Sequence, residues 1–140
     1  MDTTYVKTGK VKFVYKQFAF IGNESQYAAN ASLCAAEQGK FWEYSDKIFR
    51  EQKGENKGTF SKDNLKKFAT DASLGLDTTT FNSCVDQNKY SQRVKDETAE
   101  GQKQGVRSTP TFFVDGEKIE GDVGFAEFQK RIEAALSKKQ

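Results

Sequence analysis

Residues 105–117 read Gly-Val-Arg-Ser-Thr-Pro-Thr-Phe-Phe-Val-Asp-Gly-Glu, and this stretch decides the fold. Residues 111–114 are β-branched or aromatic, which favours a strand, and Asp115-Gly116 supplies the positive φ angles of a type I′ turn. Residues 117–120 are therefore predicted to be the returning strand of a β-hairpin. Pro110, the only proline of the chain, stands at the first strand position, where its missing N–H removes no ladder hydrogen bond. Position alone favours an ordinary trans proline over a cis peptide bond.

The sequence on both sides of the hairpin has a helical period. Downstream, residues 125–136 place apolar side chains at the spacing of an amphipathic helix, which is entered through a turn at Gly121–Gly124. Upstream, five helices are predicted between about Ser25 and Gln104, with Ser61 and Asp77 as N-caps of the third and fourth. The aromatic residues of the second helix are predicted to pack in the core rather than to line a peptide groove. The apolar markers of the first four helices are Ala28, Ala31, Leu33, Cys34 and Ala35; Phe41, Trp42, Ile48 and Phe49; Leu65, Phe68, Ala69 and Ala72; and Phe81, Cys84 and Val85.

A first strand is predicted near the start of the chain. Val11, Phe13 and Tyr15 alternate with lysines after the turn residue Gly9, which is the pattern of a strand with one solvent-exposed face. The element order is then one strand, five helices, two strands and a helix. In 140 residues this order predicts one α/β domain, in which helices pack on a small mixed sheet.

Scarce residue types exclude several kinds of chemistry. The chain has no histidine, which removes Ser-His-Asp and Cys-His nucleophile systems and histidine-ligated zinc or haem. Its two cysteines, Cys34 and Cys84, are too few for a four-thiolate zinc or iron–sulfur site. We therefore expect no metal and no cofactor.

Charge and hydropathy exclude other partners. The net charge of +2 gives no strong attraction to nucleic acid, so no nucleic-acid partner is expected. No run approaches the roughly 18 apolar residues of a membrane span, so no membrane insertion is expected. The first residues, Met-Asp-Thr-Thr, are not the basic and apolar start of a signal peptide.

Three motifs, in this order along the chain, resemble those of one protein family. Residues 34–43 (Cys-Ala-Ala-Glu-Gln-Gly-Lys-Phe-Trp-Glu) and 81–86 (Phe-Asn-Ser-Cys-Val-Asp) resemble the helical insertion of DsbA-like thiol:disulfide oxidoreductases. Residues 105–117 resemble the cis-proline loop and following hairpin of the thioredoxin superfamily. The resemblance, from about Tyr5 to Leu136, implies a truncated thioredoxin-like fold with an α-helical insertion over about residues 25–104. Residues 1–140 would then be a single, incomplete thioredoxin-like domain.

The resemblance assigns roles to four residues. In this family the residue before the cis-proline and the proline itself face the active-site disulfide and bind an extended substrate peptide through the backbone. These positions are Thr109 and Pro110, and the resemblance implies a cis bond between them. It also implies a structural disulfide between Cys34 and Cys84, for which two buried free thiols are the alternative. A catalytic role is least favoured, because Cys34 lies inside a helix rather than at its amino end.

The catalytic motif of the family is absent from the given residues. The family uses a C-x-x-C pair at the amino end of a helix that follows an initial strand, where the helix dipole stabilises the thiolate. Here the cysteines stand at positions 34 and 84, and the family's first strand would lie upstream of Tyr5. We therefore expect a chain that lacks the catalytic segment, contains no catalytic residue and is itself inactive.

Three functions follow as expectations. The first is a fragment of a DsbA-like thiol:disulfide oxidoreductase, which forms or exchanges disulfides in cysteine-containing polypeptides outside the cytoplasm, in the periplasm or cell envelope. The alternative is a non-enzymatic thioredoxin-like module that binds peptides or oligomerises. A third hypothesis is a redox switch, in which oxidation and reduction of the Cys34–Cys84 pair change the state of the protein.

The expected truncation also bears on assembly. The strand that the family has and this chain lacks would lie between the predicted strands at 11–15 and 111–114. We expect these two strands either to close up directly or to pair with another chain, in a homodimer or a strand-swapped oligomer, because open strand edges invite pairing.

Overall fold

A computed structural model describes residues 2–138, which contain six α-helices and two β-strands. One π-helical turn, Asp2–Val6, precedes them, and a short 3-10 turn, Ala72–Leu74, lies between the third and fourth α-helices. The α-helices are α1 (Asn23–Ala36), α2 (Phe41–Arg50), α3 (Lys62–Phe68), α4 (Thr78–Asp86), α5 (Ser91–Lys103) and α6 (Phe125–Ser137). The strands are β1 (Thr111–Val114) and β2 (Glu117–Glu120).

The chain divides into two compact units. The helical unit spans Gln17–Glu100 and holds α1 to α4 and most of α5. The hairpin unit combines Met1–Lys16 with Gly101–Gln140 and holds the two strands and α6. An incomplete domain over 1–140 with a helical insertion over about 25–104 stays a prediction. The end residues of that range, Met1, Lys139 and Gln140, lie outside the described residues.

The predicted helix starts are confirmed where polar caps mark them. The Ser61 hydroxyl accepts a hydrogen bond from the Asn64 amide at 3.4 Å before α3, and the Asp77 carboxylate accepts one from the Thr80 amide at 2.8 Å before α4. Each cap satisfies a backbone donor that has no partner within the helix. Gly124 is the N-cap of α6, at the predicted turn.

The main core of the helical unit forms where α1, α2, α3 and α4 pack together. Tyr44 and Phe81 are fully buried, with ring centroids 5.0 Å apart. The Tyr44 hydroxyl donates a hydrogen bond to the Leu65 carbonyl at 2.8 Å, and burial raises the pKa of Tyr44. Full burial of a side chain such as Phe81 contributes about 1.5–3 kcal/mol, so this contact is a substantial part of the stability of the unit.

Some aromatic side chains of α2 that were predicted to be buried are exposed. Trp42 is 54% exposed and Phe49 is 67% exposed, whereas Tyr44 on the same helix is fully buried. Trp42 contacts the neighbouring Phe41 ring edge to face, with the centroids 4.9 Å apart. The spacing identified the helix correctly, but the prediction that Trp42 packs in the core is wrong. Aromatic residues occupy both sides of α2, so periodicity could not select the buried side.

The hairpin has the predicted strands and turn. The antiparallel register pairs Phe112 with Ile119, and the turn residues Asp115 and Gly116 have φ angles of 50° and 87°. Both values lie in the left-handed region that a type I′ turn requires. Phe112 contacts Phe128 of α6 edge to face, with centroids 4.7 Å apart, and Ile119 is 5% exposed. One face of the hairpin therefore packs on α6.

The predicted strand at 11–15 is not formed, so the sheet is purely antiparallel rather than mixed. Among residues 2–138 the only ladder joins β1 and β2, and residues 11–20 have neither helical nor strand assignment. Just downstream, the Gln17 amide donates to Glu97 Oε2 at 2.7 Å and the Ala19 amide donates to Thr98 Oγ1 at 3.1 Å. Alternation predicted an extended backbone, but a strand also needs a neighbouring strand, and at Gln17 and Ala19 the acceptors of the backbone amides are side chains of α5 instead.

Gly22→Ala is expected to lower the free energy of unfolding by roughly 2–4 kcal/mol, measured by urea unfolding. Gly22, the N-cap of α1, has a φ of 100°, and an added methyl carbon would lie 2.7 Å from Asn56 Oδ1. Asn56 cannot move freely, because its amide donates to the Ile21 carbonyl at 2.7 Å. Gly75→Ala is the control, since its φ is 62° and no atom lies within 4 Å of the added methyl. The control should lose about 1 kcal/mol, and equal losses would contradict the steric argument.

Candidate functional site

The segment that leads into β1 is exposed. Two backbone hydrogen bonds close the turn at the end of α5. The Gly105 amide donates to the Gln102 carbonyl at 3.0 Å, and the Val106 amide donates to the Gly101 carbonyl at 2.9 Å. Residues 107–110 are all exposed. We call them the proline loop. The side chains and backbone of this loop are accessible to a ligand.

Two hydrogen bonds fix the end of the proline loop against the hairpin. The Thr111 hydroxyl donates to the Ser108 carbonyl at 2.7 Å, and the Gly121 amide donates to the Pro110 carbonyl at 2.8 Å. The Thr109–Pro110 peptide bond is cis. Both predicted substrate-binding residues are therefore held at the start of β1.

The outer edge of β1 carries unpaired backbone groups. In a two-residue hairpin the residues that flank the turn form a hydrogen-bonded pair, and such pairs recur at every second residue. The bond between Gly121 and Pro110 continues this alternation beyond the strands. Thr111 and Phe113 therefore direct their N–H and C=O groups away from β2. Within the described part of the chain, no strand pairs with this edge.

The hairpin face opposite α6 combines an aromatic side chain with an ion pair. Thr111 and Phe113 share this face with Lys118 and Glu120, and Phe113 is 43% exposed. The Lys118 ammonium lies 2.7 Å from Glu120 Oε1 and donates to the Gly105 carbonyl at 3.2 Å. The hydrogen bond from Lys118 lowers the pKa of Glu120. Lys118 thus links β2 to the start of the loop that precedes β1.

The two cysteines form a disulfide bond between α1 and α4. The Cys34 and Cys84 sulfur atoms are 2.00 Å apart and their Cα atoms are 5.8 Å apart. Cys34 is 1% exposed and Cys84 is 4% exposed, and both belong to the main core of the helical unit. A polypeptide thiolate cannot reach either sulfur while this unit is folded, so the geometry disfavours both a catalytic pair and a redox switch.

Asn30, which the sequence analysis missed, connects this disulfide to α5. Its side chain is buried, and its Nδ2 donates to Cys34 Sγ at 3.9 Å. Its Oδ1 accepts a hydrogen bond from the Tyr90 amide at 2.8 Å, directly before α5 begins. A signal was present, because Asn30 precedes Cys34 by four residues on a predicted helix and therefore lies on the same side.

A polar cluster at the end of α1 makes a second link to the start of α5. The Glu37 carboxylate accepts a hydrogen bond from the Tyr90 hydroxyl and forms an ion pair with Lys89. Lys89 and Tyr90 hold the pKa of Glu37 below its usual value, and Glu37 raises the pKa values of both partners. The interactions behind these shifts stabilise the charged form of Glu37 and the protonated forms of its partners.

The predicted site residues lie in different units. Thr109 and Pro110 lie together in the hairpin unit, and Cys34 and Cys84 are bonded to each other in the helical unit. Within residues 2–138, no group of three or more histidine, cysteine, aspartate or glutamate side chains is arranged to hold a metal ion. Over the same range, every helix is too short or too polar to cross a membrane.

Comparison with known proteins places this fold in a family. A family model described as thioredoxin matches residues 1–134. The chain belongs to the thioredoxin family. The structure of this thioredoxin-family chain is similar to the crystal structure of oxidised BdbD from Bacillus subtilis, with a TM-score of 0.84 and 23% sequence identity. The match covers 97% of this chain and 74% of BdbD, and it confirms the predicted thioredoxin-like fold class.

Two curated relatives of this thioredoxin-family chain differ in kind. Probable disulfide bond formation protein D of Bacillus anthracis is 25% identical over 136 residues, which are 96% of this chain and 62% of the relative. The Na(+)/H(+) antiporter NhaA of Herminiimonas arsenicoxydans is 36% identical over 94 residues, which are 67% of this chain and 14% of the antiporter. The chain therefore spans less than two thirds of the length of either relative.

The disulfide of this thioredoxin-family chain is expected to resist reduction in the folded state. Because both cysteines are almost fully buried, alkylation after dithiothreitol treatment should label neither in native buffer and both in denaturant, as measured by intact mass. The double variant Cys34→Ala/Cys84→Ala should lose about 4 kcal/mol of unfolding free energy, since cutting the 50-residue loop restores chain entropy to the unfolded state. Labelling of both cysteines in native buffer would contradict the expected resistance of the disulfide to reduction.

Glu37→Gln is expected to destabilise the protein at neutral pH and to have no effect in acid. The folded pKa of Glu37 lies below its usual 4.5, so the carboxylate stabilises the fold above pH 4.5 and this contribution is lost as the pH falls through the lowered pKa. Urea unfolding at a series of pH values from about 7 down to about 2 measures the difference, which should shrink only below pH 4.5. Glu55→Gln, at an exposed loop position, is the control and should match the wild type throughout the series. A difference that stays constant over the whole series would refute the assigned role of the Glu37 charge.

Proposed function

We propose that this chain is the scaffold and peptide-positioning part of a DsbA-like thiol:disulfide oxidoreductase that acts on cysteine-containing polypeptides outside the cytoplasm. On this proposal Thr109 and Pro110 bind the substrate backbone, and the Cys34–Cys84 disulfide is structural. The chain holds no catalytic residue and is inactive by itself.

The observation that carries the proposal is the accessible backbone at the start of β1. Residues 107–110 are exposed, and Thr111 and Phe113 direct backbone donors and acceptors away from β2. In the chain by itself, an extended peptide can pair with this edge as an additional strand, in which main-chain hydrogen bonds give affinity. In the parent protein the family's additional strand would occupy the edge, and the exposed backbone of Thr109, held next to it by the cis bond to Pro110, would remain to pair with the substrate. Phe113 offers it an apolar contact.

Disulfide exchange needs a reactive sulfur pair that this chain does not expose. In the proposed reaction a substrate thiolate attacks one sulfur of an active-site disulfide, which forms a mixed disulfide and releases the other sulfur as a thiolate. A second substrate thiolate then attacks the substrate sulfur of the mixed disulfide. The substrate leaves oxidised to a disulfide, and the active-site pair remains reduced. A C-x-x-C segment outside the given residues would supply this pair, and the chain would hold the polypeptide in place.

Two observations support a compartment outside the cytoplasm. The chain carries a disulfide, and such bonds persist in oxidising compartments. Its relative from Bacillus anthracis is named for disulfide bond formation. The proposed substrates are therefore polypeptides that acquire their disulfides after export.

Nuclear magnetic resonance with an extended peptide tests the positioning role. A peptide in which serine replaces cysteine cannot react, so it reports binding alone. We expect amide shifts to concentrate at Thr109, Thr111 and Phe113, because these residues border the open edge. The same peptide with an N-methylated central residue is the control and should lose binding, since it lacks a backbone donor. Equal binding of the two peptides would contradict backbone pairing.

Insulin reduction separates the fragment from the non-enzymatic module. The chain alone should show no turnover above the dithiothreitol background, because both of its sulfurs are buried in a disulfide. A fusion that adds the segment preceding the matched region of the Bacillus anthracis relative should gain turnover. Turnover by the chain alone would overturn the proposed inactivity. A folded, peptide-binding fusion without turnover would favour the non-enzymatic module.

A further inference from the structure

An open groove of about 620 Å³ lies on the helical unit, bordered by the end of α2, the loop that follows it and α3. We call it the lysine groove. Its charged lining residues are Lys47, Lys53, Lys57, Lys67, Glu51 and Asp71. The four lysines and two acids give the groove a local net charge of +2.

The two acidic side chains of the lysine groove already have a cation. The Lys47 ammonium lies 2.8 Å from Glu51 Oε1 and 3.5 Å from Asp71 Oδ2. Asp71 also accepts hydrogen bonds from the amide and hydroxyl of Ser73, at 3.0 and 2.7 Å. The hydrogen bond from Lys47 lowers the pKa of Glu51. Hydrogen bonds from Ser73, and to a smaller extent from Lys47, lower the pKa of Asp71. Both acids are therefore charged and paired at neutral pH.

The other three lysines of the groove are available to a ligand. Lys53 and Lys57 stand on the loop after α2, Lys67 stands on α3, and all three are exposed. Across residues 2–138, no hydrogen bond and no ion pair within 4 Å joins their ammonium groups to another residue, and the charge of Lys53 contributes to the lowered pKa of Glu51. Three like charges around one groove repel each other, and an anionic ligand would relieve that repulsion.

The donors around the groove suit separate carboxylates better than a single phosphate. Phosphate sites combine lysine charges with converging backbone amides or with the planar fork of arginine. Here the Gly58 amide already donates to Glu24 Oε1 at 2.7 Å, the Gly54 amide donates to Gln52 Oε1 at 2.8 Å, and no arginine lines the groove. Lysine ammonium groups act as flexible point charges, and those here come from two separate elements.

We propose that the lysine groove binds an acidic segment of a polypeptide partner, whose carboxylates pair with Lys53, Lys57 and Lys67. Phe68, which also lines the groove, gives the segment an apolar contact. This interaction is independent of the proline loop and needs no reactive sulfur. It adds a charge-based means of selecting a partner to the sequence-independent backbone pairing at β1.

Fluorescence anisotropy with a labelled peptide of alternating glutamate and glycine tests the proposal. The triple variant Lys53→Gln/Lys57→Gln/Lys67→Gln should weaken binding by at least about tenfold at about 50 mM NaCl. The matched control is Lys12→Gln/Lys95→Gln/Lys130→Gln, which changes net charge equally at three exposed lysines outside the groove. The control should stay within about twofold of the wild type. Circular dichroism establishes that both variants are folded.

Several outcomes would overturn the proposal. Equal losses in the two triple variants would assign binding to net charge rather than to the groove. A peptide with glutamine in place of glutamate that binds as tightly as the acidic peptide would exclude charge recognition, and no binding by the wild type would exclude the site. If inorganic phosphate displaces the peptide more effectively than chloride at equal ionic strength, the groove is a phosphate site instead.

Discussion

The bond between Cys34 and Cys84 joins α1 to α4, and the packing of the helical unit depends on it. Tyr44 and Phe81 belong to the same core as the two sulfurs. The Tyr44 hydroxyl links α2 to α3 by its hydrogen bond to the Leu65 carbonyl. Closing a 50-residue loop removes about 4 kcal/mol of chain entropy from the unfolded state, against a typical domain stability of about 5–15 kcal/mol. One buried covalent link therefore supplies a large part of the net stability of a unit whose helices are short and joined by polar loops.

The hairpin depends on a different constraint, the alternation of hydrogen-bonded pairs. Because the pair at the turn is bonded to β2, the groups of Thr111 and Phe113 must point outward. The side chains alternate independently of this, so Phe112 packs on Phe128 while Phe113 stays 43% exposed. The same turn therefore creates a packed face, an exposed face and an open edge. The proposed peptide-binding role of β1 rests on this backbone geometry rather than on any reactive side chain.

Local signals predicted most of the fold, and contacts between distant residues account for what was missed. The hairpin and the caps at Ser61 and Asp77 are specified within a few residues, so the sequence identified them. The pairing of residues 11–15 and the exposure of Trp42 depend on distant neighbours, and both predictions were wrong. Of the candidate site, the proline loop and the cysteine pair were identified only through resemblance to a family. The lysine groove was missed because its lysines come from α2, the following loop and α3, which meet only in the folded chain.

The segment at 17–20 explains how strand-like alternation can persist without a ladder. Gln17 and Ala19 are buried while Phe20 is 45% exposed, so burial alternates along the segment. A buried backbone amide without a hydrogen-bond acceptor costs about 1–3 kcal/mol. In a sheet, the neighbouring strand supplies this acceptor. Here Glu97 and Thr98 of α5 accept both inward amides. The Gln17 side chain adds a hydrogen bond to the Ser32 hydroxyl at 3.0 Å. The helical unit therefore satisfies the amides of Gln17 and Ala19 with acceptors of its own.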